Sequence, residues 1–242
     1  MEVTPLIRMS NIVKRFPGVV ANDQVNLDLY AGQIHALLGE NGSGKSTLMS
    51  ILSGLYRPTE GTIEILGEEK KIDSPSDALA NGIGMVHQHF KLIESFTVAE
   101  NIALSQTSGS VLISEEEIVE EITRLGKKYS LFVDPRAYVW QLSVGEKQRV
   151  EILRMLYNDS KVLILDEPTA VLTPQETREL FSNLRNMADN GCAVVFISHK
   201  LNEVEELEGD SYDIGAINNF ENMSKQKFDT PKDYFDFLSK RL

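Results

Sequence analysis

Residues 34–54 read IHALLGENGSGKSTLMSILSG, and no other stretch constrains the fold as tightly. IHALL is a short continuous apolar run, so it reads as a strand buried on both faces, with His35 given to packing. A glycine-rich turn follows it directly. STLMSILSGL then reads as a helix that ends near Gly54, because glycine readily takes the left-handed backbone that closes a helix. A buried strand, a glycine turn and a helix in that order need covering layers on both sides of a sheet.

The same grammar recurs along the chain. KVLILD (161–166) and CAVVFIS (192–198) are further buried strands, and GIGMVHQ is a shorter one. A helix begins near Val144, and TPQE (173–176) opens another with a cap and a proline at its first position. SEEEIVEEITRLGKKYS (114–130) carries Ser114 and Glu117 at capping-box spacing, with Ile118, Ile122 and Leu125 as one apolar stripe. GTIEILG reads as a strand and SPSDALANG as a short helix. Before residue 34 the pattern differs: Val25, Leu27 and Leu29 alternate with Gln24, Asn26 and Asp28, the period of a half-buried antiparallel strand. Strands alternating with amphipathic helices predict an α/β fold with a mostly parallel sheet. The last forty residues show no clear strand or helix period until TPKDYFDFLSKRL, which reads as a capped helix from Pro231 with Tyr234, Phe237 and Leu238 on one side.

At 242 residues the chain has enough length to bury a substantial core. Its formal net charge of −12 argues against a surface that neutralises nucleic-acid phosphates. The single cysteine, Cys192, allows no intrachain disulfide, reads as core filler and fits a reducing compartment. No apolar run approaches the roughly 20 residues needed to span a bilayer, and MEVTPLIRMSN lacks the apolar core of a signal peptide, so a cytosolic chain is expected.

GENGSGKST (39–47) has a glycine, four residues and then Gly-Lys-Ser at a strand-to-helix junction, the pattern of a phosphate-binding loop. Gly39, Gly42 and Gly44 let backbone N–H groups converge on phosphates, Lys45 brings a point charge for the β and γ groups, and Ser46 is placed to ligate magnesium. KVLILDEPTA offers the matching half. Asp166 at the end of a buried strand suits magnesium, and Glu167 beside it suits the orientation or deprotonation of water. His199 after CAVVFIS and Gln88 after GMVH would emerge at the carboxyl edge of a parallel sheet, where ligands bind. Either one, taken alone, reads as a surface or core residue rather than a functional one. His87 and His89 receive no role. LSVGEKQR (142–149) places unpaired N–H groups at a helix start, a second anion-binding feature.

In this order the motifs resemble those of an ATP-binding cassette (ABC) transporter ATPase, over about residues 5–206. GENGSGKST matches Walker A, HQHF the Q-loop, LSVGEKQR the signature, LILDEP Walker B and ISHK the switch histidine. The resemblance implies a P-loop cassette with a parallel core, an antiparallel β subdomain and a helical subdomain over about residues 90–158. It implies that Glu40, Asn41, Ser43 and Thr47 join the glycines, Lys45 and Ser46 around ATP, and that Phe16 of FPGVVAN stacks on adenine. It also implies that Gln88 senses Mg²⁺ and the attacking water and links to a permease, and that His199 contacts the γ-phosphate. Ser143 and Gly145 would reach ATP bound to a second cassette.

MVHQHFKLIESFTVAENIAL, LSVGEKQRVEIL and DEPTAVLTPQE resemble the simple-sugar and nucleoside importers, most closely the nucleoside branch. An importer of that branch implies membrane permease subunits, a second identical or different cassette, a substrate-binding lipoprotein acting indirectly, no nucleic-acid partner, and a peripheral position on the cytoplasmic face of the membrane. Three features depart from the family's wording. Val144 stands where the signature has the first of two glycines, Ala170-Val171-Leu172-Thr173 replaces the usual Ser-Ala-Leu-Asp, and the chain holds one cassette where those importers carry two. After SHKLNEVEE, the family's usual closing strands are missing or replaced in residues 207–242, so a catalytically silent, truncated or frame-shifted nucleotide-binding cassette fragment is the alternative to an active ATPase. A soluble ABC ATPase acting on nucleic acid is a third reading, which the acidic balance disfavours.

Overall fold

The computed structural model describes residues 4–39, 41–88, 90–105, 114–200, Glu203 and the backbone of 212–216. Strands β1 (Ile7–Phe16) and β2 (Val19–Leu29) come first, and β3 (Ile34–Leu38) then leads into helix α1 (Lys45–Leu52). Next come β4 (Glu60–Ile65), β5 (Glu68–Glu69), α2 (Pro75–Ala80), β6 (Ile83–Val86), α3 (Val98–Ala103), α4 (Glu115–Tyr129) and α5 (Val144–Tyr157). The described chain closes with β7 (Val162–Asp166), α6 (Pro174–Asp189), β8 (Ala193–Ser198) and β9 (Tyr212–Ala216).

The fold is α/β. A parallel sheet runs in the order β6-β7-β8-β3-β9, and a separate antiparallel sheet in the order β2-β1-β4-β5. The continuous apolar strands follow from burial on both faces, and successive residues of β7 and β8 enter opposite cores. Leu163, Leu165, Val194 and Phe196 pack with α3, α4, α5 and α6. Val162, Ile164, Val195 and Ile197 pack with α1, α2 and the antiparallel sheet. A two-period strand between two apolar layers needs both sets of side chains to be apolar.

Local signals account for the helix starts. Ser114 and Glu117 cap α4 reciprocally, Thr173 and Glu176 do the same for α6 with Pro174 in its first turn, and the expected stripe of Ile118, Ile122 and Leu125 is buried. Cys192 fills the core, as expected, and burial raises the pKa of its thiol. His35 is buried in β3, and its Nε2 accepts the Tyr30 N–H at 3.0 Å.

One expectation is corrected. The sequence past residue 206 shows no strand signal, yet YDIGA forms β9 and pairs parallel with β3 from Ile34↔Tyr212 to Leu38↔Ala216. An edge strand of five residues draws its stability from the ladder it joins, so it can form without a period of its own. The boundary at 206 and the helix expected from Pro231 lie outside the described residues.

Gly54 closes α1 with φ +75, and a Cβ there would sit 2.2 Å from the Ser74 carbonyl oxygen, just ahead of α2. Left-handed backbone alone costs an L-residue about 1–2 kcal/mol. Glycine to alanine at position 54 should therefore lower unfolding free energy by more than about 1 kcal/mol in urea titration. An unchanged midpoint would show that the α1–α2 junction has room to relax.

Candidate active site

The carboxyl ends of β3, β7 and β8 are held in register. Leu38 pairs with Ser198 and Asp166 with Ile197, so the loop after β3, Asp166-Glu167 and His199 emerge side by side. That loop turns on two left-handed glycines, Gly42 at φ +85 and Gly44 at φ +92, and Gly44 starts α1. Gly44 has no room for a side chain, because a Cβ would lie 2.3 Å from the Ala21 carbonyl oxygen. The buried Asn22 of β2 pins the turn from the same side by donating its Nδ2–H to the Gly44 carbonyl at 3.1 Å. Nothing in VVANDQV marks Asn22 as special, since its contact comes from a strand packed more than twenty residues away in sequence.

Lys45 is 5% exposed and curls back over the loop, donating to the Gly39 carbonyl at 2.7 Å and to Ser43 Oγ at 3.3 Å. Burial pushes its pKa below the ordinary lysine value, while the nearby Glu167 and Asp166 pull it upward. Asp166 goes the other way: burial raises its pKa, reinforced by Glu167 and opposed by the Ser46 hydrogen bond and by Lys45. Ser46 Oγ donates to Asp166 Oδ1 at 3.2 Å, so these two oxygens share one spot beside the loop. Glu167 adopts φ +46, which is strained for a residue with a long side chain. Its N–H donates to the Ile197 carbonyl at 3.1 Å, and its Oε1 lies 2.9 Å from His199 Nδ1.

Residues 41–47 and Glu167 line a cleft of about 320 Å³, at the small end of ligand-pocket volumes. Phe16, Val19, Val20 and Ala21 complete its lining. The Phe16 ring meets Tyr56 edge-on at 5.4 Å, with Lys14 Nζ 5.1 Å above it. Backbone donors, a buried ammonium and an aromatic rim suit an anionic ligand with a flat apolar end. Glu40 and His89 lie outside the described residues.

Among the described residues, six expected site residues fall outside the cleft lining: Gly39, Asp166 and His199 stand beside it through their contacts with Lys45, Ser46 and Glu167, while Gln88, Ser143 and Gly145 lie elsewhere. Gln88 is exposed, two residues beyond the end of β6. Ser143 and Gly145 belong to the start of α5, where Ser143 and Glu146 form a capping box. The Gly145 N–H donates to Glu176 Oε1 at 3.3 Å, so a carboxylate of this chain already sits on that turn. Glu176 Oε2 accepts from the Thr173 backbone N–H and hydroxyl at 2.9 and 2.8 Å, and these contacts first, then the Gly145 N–H, hold its pKa below the usual carboxylate range.

Sequence reasoning also missed Glu203, four residues after His199. It is 6% exposed and accepts from Thr169 Oγ1 at 2.7 Å, Ser198 Oγ at 2.7 Å and Lys200 Nζ at 2.8 Å. It thereby ties both flanks of His199 to the segment after Glu167. Only a structure could reveal this, because an acidic residue in a polar stretch reads as surface.

Residues 22–170 match the family model described as ABC transporter. The nucleoside import ATP-binding protein NupA of Lactococcus lactis is 50% identical over 203 residues, covering 84% of this chain and 40% of NupA. The glucose import ATP-binding protein TsgD13 of Haloferax volcanii is 46% identical over 86% of this chain and 43% of its own. The guanosine import ATP-binding protein NupO of Bacillus subtilis is 49% identical over 78% of this chain and 38% of its own. The chain thus spans about two fifths of the length of these curated relatives. Among solved structures, a nucleotide-free ATP-binding cassette from an ABC transporter superposes with a TM-score of 0.80 at 24% identity, covering 98% of this chain and 96% of that one. A dimeric bacterial ABC transporter cassette, MJ0796, gives 0.74 at 28% identity over 89% and 97%.

Burial alone would raise the pKa of Glu203, but the hydrogen bonds from Lys200, Thr169 and Ser198 outweigh it and leave the pKa below the ordinary value. A depressed carboxylate pKa contributes stability that is full above the unfolded value and disappears as pH falls through the folded one. Glu203→Gln should therefore lose about 1–3 kcal/mol of stability at neutral pH, with the gap from wild type closing in acid below about pH 4.5. Urea titrations of both proteins across pH check this, and a pH-independent gap would contradict it.

Proposed function

The chain belongs to the ABC transporter family of ATP-binding cassettes, and from that premise we propose that it binds and hydrolyses ATP to power an importer. The observation that carries the reading is one cleft lined by the glycine loop, Lys45, Ser46 and Glu167, with Asp166 hydrogen-bonded to Ser46 and His199 against Glu167. Gly39, Gly42 and Gly44 with Lys45 cradle the phosphates, flanked by Glu40, Asn41, Ser43 and Thr47, and Phe16 receives the adenine. The family implies a magnesium ion. Ser46 Oγ and Asp166 Oδ1 fit it, because Mg²⁺ needs few protein oxygens when phosphates and waters complete its shell. When bound, that ion neutralises charge on the phosphates.

Glu167 orients the attacking water and accepts its proton, while Lys45 and His199 stabilise the γ-phosphate, so rate arises from placement and electrostatics. The Glu167–His199 contact gives each side chain a fixed partner. Gln88 senses the metal and water and couples them to a permease. Ser143 and Gly145 lie away from this cleft, which supports a role toward ATP held by a second cassette, packed head to tail. The names of the relatives support a nucleoside or simple sugar as cargo. No helix among the described residues is long and apolar enough to cross a membrane, which agrees with a peripheral subunit on the cytoplasmic face of separate permease subunits. A substrate-binding lipoprotein would act indirectly.

Glu167→Gln should keep ATP binding but lower turnover by at least about a hundredfold, the usual contribution of a general base. It should also accumulate an ATP-bound dimer visible by light scattering. Hydrolysis at the wild-type rate would remove Glu167 from the mechanism. Lys45→Ala, in contrast, should lose nucleotide affinity itself by calorimetry, and undiminished binding would argue against the phosphate cradle.

A further inference from the structure

Glu151 is the most deeply buried carboxylate among the described residues, at 2% exposure, and the cleft does not contain it. It sits on α5, two turns past Ser143. Its Oε1 accepts the Lys91 backbone N–H at 2.6 Å, and its Oε2 pairs with Arg154 Nη2 one turn further on. Arg154 Nη1 in turn donates to the Lys91 carbonyl at 3.1 Å. One ion pair on one helix therefore holds both backbone groups of a single loop residue.

That residue lies three positions after Gln88, in the connection from β6 to α3. The connection starts at Val86, fixed to Leu165 in the sheet. Beyond Lys91, Asn101 Oδ1 accepts the Ile93 N–H at 2.7 Å, and its Nδ2 donates to the Ile93 carbonyl at 3.0 Å. Lys147 of α5 pairs with Glu94 at 2.7 Å. Gln88 is thus carried on a few residues strung between the sheet and α5, the helix whose first turn is Ser143 to Gly145.

Stability alone does not account for this pair. Burying an ion pair is commonly no better than burying apolar residues of equal volume, because both charges lose hydration. Desolvation indeed raises the pKa of Glu151 despite Arg154 and the Lys91 N–H. What the pair supplies that an apolar contact cannot is direction, since it fixes one N–H and one C=O of a loop.

We infer that Glu151 is a positioning residue for ATP hydrolysis, which through Lys91 ties the Gln88 loop to α5, so that Gln88 takes its place at the phosphates only as the signature turn takes its own. This rests on the reading in which Gln88 acts on the attacking water.

Steady-state hydrolysis and direct ATP binding by the full chain test it. Glu151→Ala should lower kcat about tenfold to hundredfold, as a small misplacement of a reacting group does, with Kd for ATP changed less than about twofold. Glu151→Gln keeps an acceptor for the Lys91 N–H and should recover most of that loss. With Gln88→Ala already present, Glu151→Ala should cause no further loss in a double-mutant cycle. Independent, multiplying losses would overturn the inference, as would an unchanged kcat in Glu151→Ala. Hydrogen exchange gives an arm that does not need activity. Mg·ATP should change the protection of amides 87–91 and of the first turn of α5 together in wild type and in Glu151→Gln, and separately in Glu151→Ala, or in Glu151→Met, which also lacks the acceptor, if the alanine variant does not fold. The same joint response in wild type and in the variant without an acceptor would sink the clamp. A wild-type chain that binds ATP, shows the joint response and never hydrolyses would instead overturn the ATPase reading and leave the clamp standing.

Discussion

Strands β3, β7 and β8 bury alternate residues in two different cores, so a slip of one residue would turn every side chain of a strand to the wrong layer. That penalty sets the register, and the register sets the cleft. Asp166 opposite Ile197 and Leu38 opposite Ser198 leave the glycine loop, the acidic pair and His199 at a common edge. The chemistry at the edge needs placement to within fractions of an ångström, and the sheet provides it with residues that take no part in the chemistry. Burial beside these layers is the largest influence on both charges, lowering the pKa of Lys45 and raising that of Asp166.

Beyond the strand ends the backbone has to leave ordinary conformations. Gly44 does so where Ala21 and Asn22 of β2 press against it, which joins the antiparallel sheet to the loop on the parallel one. Glu167 does so without being glycine. Its positive φ is tolerated because its N–H continues the ladder to Ile197 while the side chain meets His199. Strain of this kind persists only where surrounding contacts over-determine it. Here the contacts belong to β8, so the conformation of Glu167 depends on the strand that also delivers His199.

Much of this was legible in the residues. Apolar runs, capping pairs and the glycine at the end of α1 carry their physics locally, and the structure places α4, α6, β7 and β8 where those signals point. Lys45, Ser46, Asp166, Glu167 and His199 are brought together because each follows a strand end that hydrophobic patterning marks. Asn22, Glu151 and Glu203 were not legible, for one shared reason: each is a polar residue that is buried, and the long-range partners that fix it, the Gly44 carbonyl, the Lys91 N–H and the Thr169 hydroxyl, carry no sequence pattern. Strand β9 escaped because an edge strand borrows its order from its neighbour. Gln88 lies between these cases. Its motif is legible, but its placement depends on how the following loop is gripped, and nothing in HQHFKLIE shows that.

The buried carboxylates therefore divide the molecule's polar interior into two tasks. Glu203 receives donors from both flanks of His199 and from Thr169, so it locks β8's exit to the segment after Glu167. Glu151 and Arg154 receive and donate at a single residue of the loop after β6, so they lock that loop to α5. An apolar contact in either place would allow sliding, because dispersion is nondirectional and its gain is spread over many similar arrangements. A hydrogen-bonded charge permits one arrangement, since any shift leaves a desolvated group without its partner. The exits of β8 and β6 are thus each bound to one neighbour with little freedom, while the strand ends themselves are fixed by the sheet.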